Sequence, residues 1–497
     1  MSAATSWRYL QELKCGGCGM AKQNFINGCW VSGSEAVQNI NPSDISDVIG
    51  EYCRADEEQV SDAIAAATAA SDKWACSTPQ MRAEVLDRIG TEILDRAKEL
   101  GTLLSREQGK VLAEGIGEAT RAGQIFKFYA QEALRIEGVH IQSIRPGVTV
   151  DVRREPVGVV GLITPWNFPI AIPAWKLAPA LAYGNTVVLK PADLTPGCAW
   201  ALAEIISRSG LPEGVFNLVM GRGSIVGDII SRSASVNAVS FTGSVATGQI
   251  IRDIVASRGG KLQQEMGGKS PLIVMDDANL DTAIDCAIGG SIMSTGQRCT
   301  SNTRIIATPE IHDKLVDGMA RRAAALTVGH ALETGSQIGP VVDEKQLATN
   351  FRYIEIADNE GAERLCGGER VNREHEGFYM SPAVYANCTN TMQHVREEIF
   401  GPVVSVIKVS DFEEAIEVAN DTPFGLSSGI CTTSLKYAEV YKRRSNAGMV
   451  MVNLPTAGVD YHVPFGGRRG SSYGSREQGR LAVEFYTNTK TSYTNAA

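Results

Sequence analysis

Cys299 is the residue whose local sequence best fits a nucleophile. It lies in the segment Ser294-Thr-Gly-Gln-Arg-Cys-Thr, after a predicted helix and among polar residues and a glycine. At such a position, backbone amides and Arg298 favour the thiolate over the thiol, whose reference pKa is about 8.5. From local sequence alone, a structural thiol is the favoured interpretation of Cys299, and the contexts of the other cysteines indicate only packing.

Two further segments supply a carboxylate and a candidate phosphate site. Glu265 begins Glu-Met-Gly-Gly-Lys-Ser-Pro, where the glycines permit a tight turn that leaves the carboxylate facing a cavity. A solvent-exposed glutamate is the alternative there. Phe241-Thr-Gly-Ser-Val follows a predicted strand and opens a helix, and free amides at a helix N-terminus bind pyrophosphate groups.

Metal chemistry finds little support in the chain. Cys15 and Cys18 are spaced like half of a zinc site, but no second Cys-x-x-Cys or His-x-x-x-His follows at usable spacing. The six histidines form no His-Glu-x-x-His motif or other ligand pair. The sequence therefore predicts no metal centre.

Composition narrows the class of protein further. The chain has 497 residues, 43% of them hydrophobic, and a net charge of −9, so it has no basic footprint for nucleic acid or anionic lipid. The uncharged stretch from Val157 to Trp175 contains three prolines and an asparagine, which favours a buried strand and loop over a membrane span. Eleven scattered cysteines behind a start without a signal peptide indicate a reduced, cytoplasmic protein.

The elements that must position these residues alternate along the chain. Short edge strands with turn signals occupy the first 50 residues, and apolar residues at helical spacing predict several helices from Ser61 to about Arg135. Val148–Arg153 alternates apolar and charged residues, which predicts an antiparallel strand at a sheet edge. Strands and helices then alternate over 157–241 and again over 272–452, so two α/β lobes with parallel sheets are expected.

Taken together, the motifs resemble those of the NAD(P)-dependent aldehyde dehydrogenase superfamily. The match runs from Phe25 to Lys490, and Cys299 follows Glu265 by 34 residues, as in that family. The ordered set of motifs carries the resemblance: Thr164-Pro-Trp-Asn-Phe-Pro, Leu189-Lys-Pro-Ala-Asp, Phe241-Thr-Gly-Ser, Glu265-Met-Gly-Gly-Lys-Ser-Pro, Gly296-Gln-Arg-Cys, Glu397-Glu-Ile-Phe-Gly-Pro and Pro464-Phe-Gly-Gly.

The resemblance implies an α/β fold of the aldehyde dehydrogenase type, with two Rossmann-like domains and a small antiparallel oligomerisation hairpin. Residues 1–137 and 157–267 would form the dinucleotide-binding domain, and residues 268–467 the catalytic domain. Residues 138–156 and 484–497 would form the hairpin that builds a homodimer or homotetramer.

The family's mechanism implies a role for each of five catalytic residues. Cys299 would attack the aldehyde carbon, and the Asn167 amide with the Cys299 backbone N–H would hold the oxyanion. Glu265 would be the general base for the water that hydrolyses the thioester. Lys176 and Glu477 would assist proton transfer.

The implied cofactor is NAD, with NADP as the alternative. Lys190 would bind the adenine ribose, Ser244 the pyrophosphate and Glu398 the nicotinamide ribose. Asp193 stands where a carboxylate accepts from the ribose 2′-OH and repels a 2′-phosphate, but it is shorter than the glutamate often found there, which leaves NADP open. The same cleft would contain Thr164, Trp166, Gly243 and Phe400.

For the substrate, the segments Thr120–Ala130 and Val459–Gly474 look similar to those of bacterial 2-oxoglutarate semialdehyde (2,5-dioxopentanoate) dehydrogenases, which act in sugar-acid catabolism. Arg121 and Arg298 are the tentative partners of an acidic tail, with a structural role as the alternative for both. Succinate semialdehyde dehydrogenases are a second possibility, but they often carry arginines where this chain has Trp175 and Met293.

Two other kinds of protein share these motifs. An acylating dehydrogenase passes the acyl group to coenzyme A but generally lacks the hydrolytic base, so Glu265 argues against it. A non-catalytic, crystallin-like protein would not need the complete set of Cys299, Glu265 and Asn167.

Overall fold

Four consecutive helices follow the N-terminal strands, as the spacing of apolar residues predicts. The structure is a computed structural model, and it describes residues 21–495. The Asp56 side chain accepts from the Gln59 backbone at the start of the first helix, and Gly109 ends the third with φ 89°, a left-handed conformation that glycine adopts without strain. The four helices span Glu57–Ala75, Pro79–Asp95, Ala97–Gln108 and Leu112–Glu132.

The first lobe is built on an eight-stranded sheet whose five central strands are parallel. The uncharged stretch from Val157 contributes a fully buried strand and a fully buried helix, as predicted. In spatial order the strands are Ser472–Tyr473, Lys261–Glu265, Ala238–Thr242, Val159–Ile163, Thr186–Lys190, Phe216–Leu218, Asn24–Ile26 and Cys29–Val31. Its helices after the N-terminal four are Ala171–Ala182, Pro196–Arg208, Asp228–Arg232, which a π-helical turn at Gly223–Gly227 precedes, and Val245–Ser257.

The second lobe is a seven-stranded sheet in which only the outermost pair is antiparallel. Its strands, in spatial order, are Glu363–Cys366, Ala383–Cys388, Val403–Lys408, Arg304–Ala307, Pro271–Val274, Ser427–Cys431 and Met449–Val452. Its α-helices are Leu280–Ser291, Pro309–Ala324, Glu344–Asn359, Gln393–Arg396, Phe412–Asn420 and Leu435–Arg444, and a 3-10 turn lies at Met293–Gly296.

A separate three-stranded antiparallel sheet contains the alternating segment. The strand Val148–Pro156 pairs on one side with Val139–Gln142 and on the other with the C-terminal strand Thr487–Asn495. The prediction of an edge strand at Val148–Arg153 is therefore wrong, because the far C-terminus covers its second edge. The two edge strands are Val139–Gln142, whose residues are all exposed, and the C-terminal strand Thr487–Asn495.

The remaining elements are small. Glu35–Asn41 and Asp44–Arg54 form a two-stranded hairpin, short 3-10 turns lie at Arg469–Ser471 and Arg480–Ala482, and a short helix at Val483–Tyr486 leads into the C-terminal strand. The alternation of strands and helices confirms the α/β class. The division into domains at residues 137, 157, 267 and 467 stays a prediction.

Three predictions concern cysteines, metal ligands and a membrane span. Cys15 and Cys18 lie outside it. The cysteines within residues 21–495 are free thiols, and this range contains no group of three or more His, Cys, Asp or Glu side chains that could hold a metal ion. None of its helices combines the length and apolar character needed to cross a bilayer.

Candidate active site

The loop that carries Cys299 begins with three consecutive residues in the left-handed region. Ser294, Thr295 and Gly296 have φ of 53°, 57° and 66°, between the helix ending at Ser291 and the strand starting at Arg304. For a non-glycine residue this conformation costs about 1–2 kcal/mol. At Gly296 a side chain is also excluded, because a Cβ would lie 2.2 Å from the Gly401 carbonyl oxygen.

Side-chain hydrogen bonds hold this turn in place. Arg298 Nη2 donates to Glu114 Oε1 at 2.9 Å and to Ser294 Oγ at 2.6 Å, and Ser294 Oγ donates to the same Glu114 oxygen at 2.8 Å. Thr295 Oγ1 donates to the Gly339 carbonyl at 3.1 Å. The Arg298 guanidinium is therefore occupied by the protein, so the geometry favours the structural alternative for this residue.

The Cys299 thiol is half-buried and packs against the apolar side chains of Leu426, Met449 and Phe465. Burial raises its pKa above the usual value, and the negative charges of Glu398, Glu265 and Glu477 raise it further. The Cys299 backbone amide lowers the pKa of the thiol, as expected, but burial and the carboxylates outweigh it, and Arg298 is paired with Glu114.

Glu265 is the last residue of its strand and is only 2% exposed. The neighbouring strand places Ser472 opposite it, and Ser472 Oγ donates to Glu265 Oε2 at 2.6 Å. Burial first, and then the charge of Glu477, raise the pKa of Glu265 well above its ordinary value. A carboxyl with a raised pKa is suited to take and return a proton near neutral pH.

A buried proton network lies behind Glu265. Lys176 Nζ donates to Glu477 Oε1 and, at 2.6 Å, to Ser240 Oγ, which in turn donates to Gln263 Oε1 at 2.5 Å. Glu477 Oε2 is buried without a partner among the described residues. Lys176 and Glu477, both predicted from family motifs, thus form one ion pair next to the candidate base.

Asn167 lies in the loop before the helix Ala171–Ala182. Its Nδ2 donates one hydrogen to the Gln297 carbonyl at 3.1 Å, two residues before Cys299, which leaves its second N–H available. Lys110 Nζ fixes the Asn167 carbonyl at 2.5 Å and pairs with Glu118 at 2.7 Å, and both charged side chains are almost fully buried. The amide is therefore rigidly placed beside the nucleophile loop.

The strand ends of the first lobe form the candidate cofactor cleft. The Thr164 backbone donates to the Lys190 carbonyl at 3.1 Å, and Gly243 donates to the Glu265 carbonyl at 3.1 Å, so both segments lie at one edge of the sheet. Ser244 caps the helix Val245–Ser257. Thr164 Oγ1 is buried without a partner among the described residues, as expected where a bound ligand supplies one. These residues fit a dinucleotide.

At the end of the cleft predicted to bind the adenine ribose, one carboxylate lies between two cationic side chains. Asp193 Oδ1 lies 4.0 Å from Lys190 Nζ, and Asp193 Oδ2 lies 3.9 Å from a guanidinium nitrogen of Arg54. Arg54 is a residue that sequence reasoning missed, because it comes from the distant N-terminal hairpin. Asp193 therefore faces two cations, which weakens its repulsion of a 2′-phosphate.

At the other end of the cleft, Glu398 Oε1 accepts from the Gly268 backbone at 2.9 Å. Burial raises the Glu398 pKa to about 7. Phe400 packs edge-on against Trp166 with ring centroids 5.3 Å apart. The structure thus brings the predicted nicotinamide-side residues next to the turn that follows Glu265.

Arg121 takes a different position from Arg298. Its Nη2 donates to Gln478 Oε1 at 3.2 Å, beside the loop that carries Glu477. Sequence reasoning missed Gln478 as well as Ser472, Lys110 and Glu118. Lys110 lies in the turn between two helices and Glu118 within the second of them, where charged residues ordinarily face solvent, so neither left a sequence signal.

Comparison with known proteins agrees with this geometry. Residues 30–492 match the model of the aldehyde dehydrogenase family. An alpha-ketoglutaric semialdehyde dehydrogenase of Bacillus subtilis (strain 168) is 41% identical over 472 residues, covering 94% of this chain and 97% of that protein. A 2,5-dioxopentanoate dehydrogenase of Saccharolobus solfataricus is 38% identical over 93% of this chain and 97% of its own length.

Among solved structures, betaine aldehyde dehydrogenase from Staphylococcus aureus in complex with NAD+ superposes with a TM-score of 0.93. It is 32% identical, and the match covers 96% of this chain and 95% of that one. The two lobes and the small antiparallel sheet are therefore a fold that known dehydrogenases share.

Proposed function

The chain belongs to the aldehyde dehydrogenase family, and on this basis we propose that it oxidises 2-oxoglutarate semialdehyde to 2-oxoglutarate with NAD as the hydride acceptor. The observation that carries the chemistry is the convergence of Cys299, Glu265 and Glu477 in one enclosed site. NADP is the alternative acceptor, because Arg54 and Lys190 flank Asp193.

In the first half of the reaction, Glu265 takes the proton of the Cys299 thiol and the thiolate attacks the aldehyde carbon. The oxyanion that forms accepts hydrogen bonds from the free N–H of Asn167 Nδ2 and from the Cys299 backbone. Donors fixed where charge develops stabilise the transition state without reorganising. Lys110 and Glu118 keep the Asn167 loop in position for this role.

The dinucleotide would be held by Lys190 and Asp193 at the adenine ribose, by Ser244 and the adjacent helix amides at the pyrophosphate, and by Glu398 at the nicotinamide ribose. Thr164, Trp166, Gly243 and Phe400 would complete the cleft. When bound, NAD would supply the acceptor for the hydride that leaves the substrate carbon as the thioester forms.

In the second half, Glu265 first releases the thiol proton and then takes a proton from the water that hydrolyses the Cys299 thioester. Its raised pKa lets it hold that proton and then release it. Glu477, paired with Lys176 and adjacent to Ser240, is placed to pass the proton away from the site.

The names of the similar dehydrogenases support the choice of aldehyde. Two of them act by name on alpha-ketoglutaric semialdehyde, which is the same compound as 2,5-dioxopentanoate. Trp175 and Met293 occupy the positions of the arginines that succinate semialdehyde dehydrogenases often carry. Succinate semialdehyde is therefore the second candidate, and the reaction would belong to sugar-acid catabolism.

The direct test mixes the purified protein with a panel of aldehydes, with NAD or NADP, and with or without coenzyme A. We expect reduced cofactor and free acid without coenzyme A, and the highest kcat/KM for 2-oxoglutarate semialdehyde. Acid formation only with coenzyme A would contradict the hydrolytic mechanism.

The nucleophile is tested by Cys299→Ala, which we expect to abolish NADH formation while NAD still binds. Cys76→Ala, at an exposed cysteine, is the matched control and should behave like the wild type. Undiminished turnover by Cys299→Ala would remove Cys299 from the mechanism.

We further propose a cytoplasmic homodimer or homotetramer. The free thiols within residues 21–495 support a reducing compartment. The exposed edge of the three-stranded sheet, where Val139 and Ile141 are 55% and 48% exposed, supports association through that sheet.

A further inference from the structure

Two buried nitrogen donors next to the catalytic carboxylates have no acceptor among the described residues. They are Arg121 Nε and Gln478 Nε2. The two side chains touch, because Arg121 Nη2 donates to Gln478 Oε1 at 3.2 Å. Buried donors are nearly always paired, so an adjacent unpaired pair indicates an acceptor that the protein itself does not provide.

The position of this pair is fixed relative to the reacting centre. Gln478 directly follows Glu477, and its φ of 58° turns the chain there. Tyr129, on the same helix as Arg121, donates to the Gly479 carbonyl at 3.0 Å. The helix Leu112–Glu132 thus contacts the Glu477 loop at two points. Gln478 is adjacent in the chain to Glu477, whose carboxylate neighbours Glu265, and Arg121 contacts Gln478.

The charge of Arg121 is not neutralised by an ion pair within residues 21–495. Glu118, on the preceding helical turn, already bonds Lys110 and the backbone amides of Ile170 and Ala171. Asp460 is exposed and interacts with Arg121 only at longer range. An arginine stays protonated in proteins, so a largely buried positive charge faces this part of the site.

We propose that Arg121 and Gln478 bind the carboxylate at the far end of the aldehyde substrate and so select acidic semialdehydes. A carboxylate only accepts hydrogen bonds, and a guanidinium with a neighbouring amide N–H gives it two donors and one positive charge. This assignment rests on the proposed function, since it explains how a site without arginine at residues 175 and 293 recognises an acidic aldehyde.

The test is the ratio of kcat/KM for 2-oxoglutarate semialdehyde to that for pentanal, a neutral aldehyde of the same chain length. Arg121→Gln removes the charge, and we expect the ratio to fall about 10- to 100-fold, mainly through KM, the range for losing a hydrogen bond to a charged group. Gln478→Glu, which places a negative charge beside Arg121, should lower the same ratio.

One control variant and one further test variant complete the experiment. Lys127→Gln removes a positive charge from the same helix, but Lys127 bonds Asp87 at the surface, so the ratio should stay at the wild-type value. Asp460→Asn removes the carboxylate that competes for Arg121, so KM for the acidic aldehyde should fall. A rise in that KM would show instead that Arg121 serves a structural contact with Asp460, and would overturn the assignment.

If Arg121→Gln folds poorly, inhibition by glutarate provides a second test with other variants. Glutarate should inhibit the wild type competitively against the aldehyde, and Arg121→Lys and Gln478→Leu should weaken that inhibition. If the wild type prefers acidic aldehydes and all these variants keep that preference and the glutarate inhibition, this assignment alone is wrong. If the wild type prefers pentanal, the proposed substrate fails and the assignment fails with it, while aldehyde oxidation stands.

Discussion

At the scale of single residues, the pKa values of the proposed nucleophile and the proposed base are shifted in the same direction. Burial and three carboxylates raise the pKa of Cys299, and burial with Glu477 raises the pKa of Glu265. Since both pKa values move in the same direction, a proton passes between thiol and carboxyl more easily than if Glu265 were an ordinary surface acid. The thiol of Cys299 is therefore neutral until Glu265 is deprotonated and can accept its proton.

This arrangement predicts a pH dependence. A base works only when it is deprotonated, and the pKa of Glu265 is raised, so the rate should increase with pH through the titration of Glu265. Glu265→Gln should slow acid release at least 100-fold and abolish that increase, as measured by stopped-flow NADH formation and product release. Glu417→Gln, on an exposed helix face, is the control, and a retained pH dependence in Glu265→Gln would assign it to another group.

A second prediction at this scale concerns the cofactor. Asp193→Ala leaves Lys190 and Arg54 without the carboxylate between them, so a 2′-phosphate should bind better. We expect the ratio of kcat/KM for NADP to that for NAD to rise about tenfold, the effect of roughly 1.4 kcal/mol. Asp228→Ala, which removes a surface carboxylate paired with Arg232, should leave the ratio as it is.

At the scale of elements, the left-handed turn before Cys299 is the feature that local sequence did not reveal. Ser294 and Thr295 have no preference for positive φ, so the turn exists because tertiary contacts with Glu114 and Gly339 hold it. The strand Arg304–Ala307 and the helix Phe412–Asn420 belong to the alternation that the sequence predicted over residues 272–452. The conformation of the nucleophile loop could not be predicted, because its partners Glu114 and Gly339 lie far from it in the sequence.

The turn gives a prediction at the same scale. Arg298→Leu removes one of the two hydrogen bonds of Ser294 Oγ, so the position of Cys299 should be held less firmly. We expect kcat to fall about tenfold and alkylation of Cys299 by iodoacetamide to change rate, while NAD affinity remains. Adding Ser294→Gly, which accepts a left-handed backbone, should recover part of kcat. Arg321→Leu at an exposed ion pair is the control, and an unaltered alkylation rate would show that the Arg298–Ser294 hydrogen bond is dispensable.

At the scale of the whole molecule, the motifs predicted the aldehyde dehydrogenase fold, its two α/β lobes and the small antiparallel sheet. What the local pattern did not show was that Val148–Pro156 is the central strand of that sheet, because its pairing with the C-terminal strand joins residues more than 300 positions apart. Long-range pairing leaves no local pattern, since both strands read as half-exposed. Of the two edge strands, Val139–Gln142 and Thr487–Asn495, Val139–Gln142 is the one exposed at every residue.

That edge predicts how the chains associate. Replacing both Val139 and Ile141 with lysine puts charges on an exposed apolar strand, and we expect the oligomer to dissociate. Light scattering would then report the mass of one chain. Leu435→Lys, at an apolar residue that is 83% exposed on a helix, is the matched control and should keep the wild-type mass. A wild-type protein that is itself a monomer would contradict the prediction.

The chain passes from one large sheet to the other in only five residues, from Met266 to Ser270, because Glu265 ends a strand of the first and Pro271 begins a strand of the second. The base therefore sits on the covalent joint, while Cys299 belongs wholly to the second lobe. Any rotation of one lobe against the other displaces the base from the thiol. Activity should therefore be lost at a lower denaturant concentration than the circular dichroism signal of the two sheets. Activity would then report the alignment of the lobes more sensitively than circular dichroism does.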